Sequence, residues 1–268
     1  MKTMKTMKTK QTASILAAFF ALAAGASAQA TTWFYGASDN SANFGVTPDS
    51  SQAITWNDAW ANGDALQNTY GNNNYIGSES LQVSRPDLFG YDQSIMMFGF
   101  GGTGLTAADV GNAILHIRQD FSSFPGFPNT WNIVGIAAGN TGWDTNTMTW
   151  NDINGGAAGD WTGGTLGGSL FGSYGTFQDL GSNTTPGNIA IDVTSAFQAF
   201  LNGTISGIAF VDSTTGTTFA ATDLSFIPFS NDNTIATNRP GLLVTAIPEP
   251  STALLGCLGV LALLRRRR

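Results

Sequence analysis

Residues 112–118 read NAILHIR, and their alternation decides the fold class. Successive side chains of an extended chain point to opposite faces, so Ala113, Leu115 and Ile117 share one face and Ile114, His116 and Arg118 the other. One face is wholly apolar and the other mixed, which is the pattern of a strand with one side on a core. Similar short runs recur, separated by Gly/Asn/Ser clusters. They are QAITW (52–56), SLQV (80–83), SIMMFGF (94–100), TWNIVGIA (130–137), MTW (148–150), NIAIDV (188–193), GIAFVD (207–212), TTFAA (217–221) and GLLVTA (241–246). Their spacing predicts an all-β fold, a two-sheet antiparallel sandwich of jelly-roll type. One segment leaves the period of two. In DVTSAFQAFLNG (192–203), Val193, Phe197, Phe200 and Leu201 recur at helical spacing. Asp192 or Thr194 is placed to cap its start and Asn202-Gly203 to stop it, so one short helix is expected to plug an end of the sandwich. Residues 31–51 and 153–188 are glycine-rich and weakly patterned, and are expected to be loops or short extra strands.

The two ends have a different chemistry. MKTMKTMKTK carries Lys2, Lys5, Lys8 and Lys10, an apolar run follows over 13–24, and small-x-small sites end at Ala28 and Ala30. That order reads as a signal peptide over residues 1–29. At the other end, 251–264 is an almost wholly apolar segment of 14 residues. As a helix it reaches about 21 Å at about 1.5 Å per residue, short of the roughly 30 Å hydrocarbon core. Arg265, Arg266, Arg267 and Arg268 follow it, and the positive-inside rule keeps them cytoplasmic. Pro248, Glu249 and Pro250 precede it and hold the chain extended, as suits a segment presented to an enzyme. Residues 247–268 are therefore expected to be a processing signal containing a hydrophobic helix, and 30–246 the β-sandwich body. This motif, apolar run and arginine cluster resemble the PEP-CTERM sorting signal of exported proteins from Gram-negative bacteria that make exopolysaccharide. The resemblance implies an exosortase-type membrane enzyme that recognises the tail and releases or transfers the body. It also implies contact with the membrane only through the C-terminal segment before processing, and a place on the outer cell surface or in the extracellular matrix.

Between the ends, Arg85, Arg118 and Arg239 are the only basic residues against 17 acids, a formal charge of −14 over 30–246. Such a surface excludes nucleic acid as a natural partner and disfavours anionic lipid. Cations, neutral glycans and basic proteins suit it better. The only cysteine, Cys257, lies in the tail, so an exported body would hold no disulfide and must rely on its apolar core.

The order of features in the body resembles the DNRLRE domain, a β-sandwich of secreted and surface bacterial proteins. The residues that carry the likeness are Asn74-Tyr75-Ile76-Gly77 with Leu81-Gln82-Val83, Ser94 to Phe100, Ala113 to Ile117, and Trp143 to Asp152. They continue with Asp192-Val193-Thr194, then Phe219, Ala221 and Asp223, then Arg239-Pro240 with Leu242. The chain departs from the family pattern at Gly99 (usually Asp), Asp223 (Glu) and Phe200 (Trp). The match runs from about residue 74 and implies a sandwich from there to 246.

Little in the body suggests catalysis. His116 is the only histidine; it sits mid-strand, with no G-x-S-x-G motif nearby, and reads as a polar position on an outward face. The carboxylates are nearly all Asp beside Asn, Ser or Gly, where they serve turns. No enzyme activity and no cofactor are expected, apart from a structural calcium for which Asp39, Asp49, Asp223 and Asp232 are candidate ligands. Of the seven tryptophans, Trp33, Trp60 and Trp161 lie among small polar residues and are candidates for stacking on sugar rings. The leading expectation is a non-enzymatic exported surface or matrix protein associated with extracellular polysaccharide. A stand-alone carbohydrate-binding module is the alternative, and a polysaccharide hydrolase or lyase is third.

Overall fold

A computed structural model describes residues 30–36, 40–53, 57–63, 79–81, 83–84, 93–100, 103–122, 128–138, 170–181, 186–212 and 225–247. The chain divides into two compact units: Thr32–Ala246, and a second made of Met1–Thr31 with Ile247–Arg268. Nearly all of the second lies outside the described residues.

Among the described residues the first unit holds twelve strands. They are β1 (Thr32–Gly36), β2 (Ser50–Ala53), β3 (Asn57–Gly63), β4 (Val83–Ser84), β5 (Gln93–Gly99), β6 (Val110–Ser122), β7 (Thr130–Ala137), β8 (Leu170–Gln178), β9 (Gly187–Asp192), β10 (Ile205–Asp212), β11 (Ser225–Pro228) and β12 (Gly241–Ala246). One helix, α1, spans Thr194–Leu201. Among the described residues the first unit is thus mostly strand, in two sheets with one short helix. One sheet runs β2-β1-β12-β6 with β9 on β6; the other runs β5-β10-β7-β8 with β3 and β4 on β5. Short β11 pairs with β6 on one side and β4 on the other, so the two sheets stay hydrogen-bonded along one path. The runs at 130–137 and 241–246 form strands over those same residues. The runs at 148–150 and 217–221 lie outside the described residues.

The alternation read in NAILHIR sets the core. Ala113, Leu115 and Ile117 are fully buried. They meet Ile189 and Ile191 of β9, Leu242 and Val244 of β12, Trp131 and Ile133 of β7, and Ile208 and Phe210 of β10 in one apolar cluster. Each Leu, Ile, Val or Phe side chain among them contributes about 1.5–3 kcal/mol when fully buried. Phe177 of β8 packs against Phe210 at 4.7 Å and Phe226 of β11 at 5.5 Å between ring centroids.

Two features differ from the expectation. The pairing is antiparallel except between β1 and β2, which run parallel. A parallel return needs a crossover of about a dozen residues; here 37–49 supplies it and carries a 3₁₀ turn, Ser41–Phe44. The weakly patterned stretch 31–51 supplies short extra strands, as expected, and β1 lies inside its sheet, between β2 and β12. The second difference is the helix start. Val193, not Asp192 or Thr194, is the N-cap residue of α1. The Asp192 carboxylate still accepts the Thr194 backbone N–H at 2.9 Å and its hydroxyl at 2.7 Å. The helix stop follows the sequence: Gly203 takes a left-handed φ of 71°. Its N–H donates to Phe200 O and that of Thr204 to Ala199 O, a Schellman closure.

The burial of α1 also follows its stripe. Ala196 and Phe197 are buried, and Phe197 meets Phe100 edge-on at 5.2 Å while Phe200 lies 5.5 Å from it. The helix is pinned to the start of β6, where Gln198 Nε2 donates to Val110 O and Ala113 N–H to Thr194 Oγ1.

One close approach gives a direct test. Gly241 of β12 lies against the ring of Phe34, and a Cβ built there would stand 2.8 Å from two ring carbons. Phe34 is itself buried and cannot swing away. Gly241→Ala is expected to destabilise the protein by about 1–3 kcal/mol through overpacking, measured by urea unfolding.

Candidate functional site

The structure distributes the candidate residues rather than gathering them. Trp33 belongs to β1, is half-buried, and packs against the apolar core. Its neighbours in sequence are polar, but β12 alongside brings the core to it. Trp60 lies in β3 in register with Met96 of β5; its side chain is outside the described residues, and so is all of Trp161. Asp39 and Asp223 are also outside them. Asp49 is exposed, and its Oδ2 accepts the Thr32 backbone N–H at 2.7 Å and the Thr32 hydroxyl at 3.0 Å. It therefore anchors the beginning of β1. Asp232 is exposed in the turn after β11, its N–H donating to Ser230 Oγ. Among the described residues no group of three or more His, Cys, Asp or Glu is placed to hold a metal. Among them, too, no helix is long and apolar enough to cross a membrane. The sorting residues Pro248, Glu249, Pro250 and Arg265 to Arg268 lie beyond the described chain.

His116 corrects one expectation. It is on the outer face of β6, as the alternation requires, yet only 7% of it is exposed. The 3₁₀ turn Ser41–Phe44 covers it, with the Phe44 ring 5.3 Å away. Burial lowers its pKa below the usual 6.5, because a charged ring is poorly solvated there. Its Nε2 has no hydrogen-bond partner, nor has the buried Nε of Arg118 two residues on.

Two buried carboxylates carry geometry that the sequence did not single out. Asp58 of β3 is 6% exposed and accepts the Asn231 backbone N–H at 2.5 Å. Burial pushes its pKa up to about 7; the Asn231 N–H works against this, and the nearby Asp232 charge adds to it. Asp179, just after β8, is 3% exposed. Its Oδ2 accepts the Trp131 indole N–H at 3.0 Å, and its Oδ1 the backbone N–H groups of Asn129 at 3.0 Å and Gly181 at 2.9 Å. This carboxylate ties the start of β7 to the end of β8 through these protein donors. Both groups depend on partners far away in sequence, so no local motif marks them.

The wider comparisons bear on one part of the chain. No curated protein matches it. Residues 246–268 match the PEP-CTERM protein-sorting motif, which indicates sorting by an exosortase, a membrane enzyme, and with it an exported surface protein of a Gram-negative-type cell envelope.

Proposed function

We propose that the protein is a non-enzymatic, exported surface or extracellular-matrix component whose β-sandwich is the mature product and whose tail is its address label. The single observation that carries this reading is the motif match over residues 246–268. It joins a short apolar run, too brief for a comfortable span, to a proline-bracketed acid and four arginines. The lysine-rich leader over 1–29 fits the same route as a signal peptide. Support for the non-enzymatic half comes from the body. Its sole histidine is shut beneath Phe44, and the buried Asp58 and Asp179 are committed to backbone and indole donors. Association with exopolysaccharide fits the formal charge of −14 over 30–246 best if the polymer is neutral, or acidic and bridged by calcium. Trp60 and Trp161 remain the residues for sugar stacking, Trp33 being packed on the core.

Deletion of residues 247–268 tests the sorting half. Secreted protein is expected to lose its surface location, as read by fractionation and immunoblotting of native cells; an unchanged location would overturn it. A polysaccharide array, with and without calcium, tests the polymer association and reads turnover in the same assay. Retention of a polysaccharide, weakened by Trp60→Ala or Trp161→Ala, is the expected result for a binding module. Release of reducing ends would contradict the non-enzymatic reading.

A further inference from the structure

The outer face of β6 is covered by a short element over an ionisable group. The cover is the 3₁₀ turn Ser41–Phe44. Phe44 touches His116 and, at 6.3 Å between centroids, Phe34. Asn43 O accepts the Asn188 side-chain amide at 2.6 Å. At the upstream end, Asn40 Nδ2 donates to Ala236 O at 3.1 Å and Arg239 O at 2.7 Å. At the downstream end the chain turns away through Gly45, whose φ of 70° is left-handed. A four-residue 3₁₀ turn outside both sheets belongs to the low-stability end of a fold, where local opening costs least.

We propose that Ser41–Phe44 is an acid-released cover: protonating His116 loosens this turn from the outer face of β6 while the sandwich behind it stays folded. The groups around His116 give the reason. On β6, Arg118 shares its face and Asp120 lies beyond. Opposite stand Ala190 of β9, flanked by Asn188 and Asp192, and Gly241 of β12, with Arg239 just before that strand. The turn above contributes Ser41, Ala42, Asn43 and Phe44, none of them titratable. Asp192 is already occupied by Thr194, and Arg239 donates its Nε–H to Asn233 O. No acceptor meets His116 Nε2, so a second ring proton would lie buried and unsatisfied. Phe44 can return only a weak cation–π attraction, about 0.5–2 kcal/mol, against the larger cost of a buried unpaired charge.

The sign follows from burial, which lowers the His116 pKa below 6.5 in the closed form. The open form takes the proton more readily. The cover's stability is therefore complete above about pH 6.5 and is lost as pH falls through the closed-form value. The opening equilibrium changes by up to about tenfold for each pH unit between the two values.

Hydrogen exchange on the full-length chain in mild detergent tests this, read at the amides of Asn43, Gly45 and Val46. These donate to Asn40 O, Ala42 O and Ser41 O inside the turn. Their protection factors are expected to fall several-fold between about pH 7.5 and 5, while those of β7 hold, and His116→Gln is expected to abolish the fall. Equal protection at both pH values, or the same fall in His116→Gln, would overturn the proposal. Should that variant fail to fold, NMR of the wild-type chain decides, since one histidine yields one imidazole titration. Phe44 ring signals that move with it support the cover, and signals that stay fixed contradict it.

Discussion

Asp179→Ala is expected to lower the stability of the body by about 3–5 kcal/mol, because it orphans three N–H donors at once, each costing about 1–3 kcal/mol where it is buried. Trp131 is fully buried in the core, and its indole N–H ends on Asp179 Oδ2. The same carboxylate holds the backbone N–H groups of Asn129 and Gly181, and the Asp179 N–H donates back to Asn129 O. Next along the chain, the Leu180 N–H donates to Gln119 Oε1, tying the segment to β6. Alanine would leave buried donors without acceptors, each costing about 1–3 kcal/mol. For a body of this size Tm should fall by roughly 6–20 °C, followed by circular dichroism. Trp131→Phe on the Asp179→Ala background should cost less than on the wild type, because the orphaned indole N–H is removed with it. An unchanged Tm in Asp179→Ala would show that the carboxylate is not holding these strands.

The second large effect is a pH dependence from Asp58. Its pKa is raised from 3.8 to about 7 in the folded protein, chiefly by burial. Below about pH 3.8 both states hold the proton and the contribution to stability is complete. Between that value and about 7 only the folded state holds it, so stability falls as pH rises, by about 4 kcal/mol in all. Asp58→Asn keeps an acceptor for the Asn231 N–H without a charge to bury. The variant should therefore be more stable than wild type at pH 8, by about 2–4 kcal/mol, and close to it near pH 4. His116 acts in the opposite direction, losing stability as pH falls below about 6.5, so the difference between wild type and Asp58→Asn isolates the aspartate. Chemical denaturation across pH checks this. A variant less stable than wild type at pH 8 would contradict it.

What could be read from the chain, and what could not, follows from the range of the interactions. β7 and β12 were legible because a strand with one face on the core writes its own alternation. The α1 stop was legible because Asn202-Gly203 is a local signal, completed within the last turn. The burial of His116 was not, since the residues that cover it are Ser41 to Phe44, over seventy positions earlier. Asp58 and Asn231 stand 173 residues apart, and Trp131 and Asp179 stand 48 apart. Neither pair leaves a spacing pattern. The contact of the Asp49 carboxylate with the Thr32 N–H and hydroxyl was not legible either. A turn aspartate carries no mark of the donor, 17 positions away, that the fold brings to it. The tail is the reverse case, because its motif, apolar length and charge sit side by side in 23 residues, 246–268.

The central claim is that the C-terminal segment is removed once it has directed the protein to the surface. Mass spectrometry of the protein's C-terminus, purified from its native cells, tests this most directly. The expected result is a dominant species ending before the apolar run, with no peptide carrying Arg265 to Arg268. A dominant species that retains the four arginines would contradict the account.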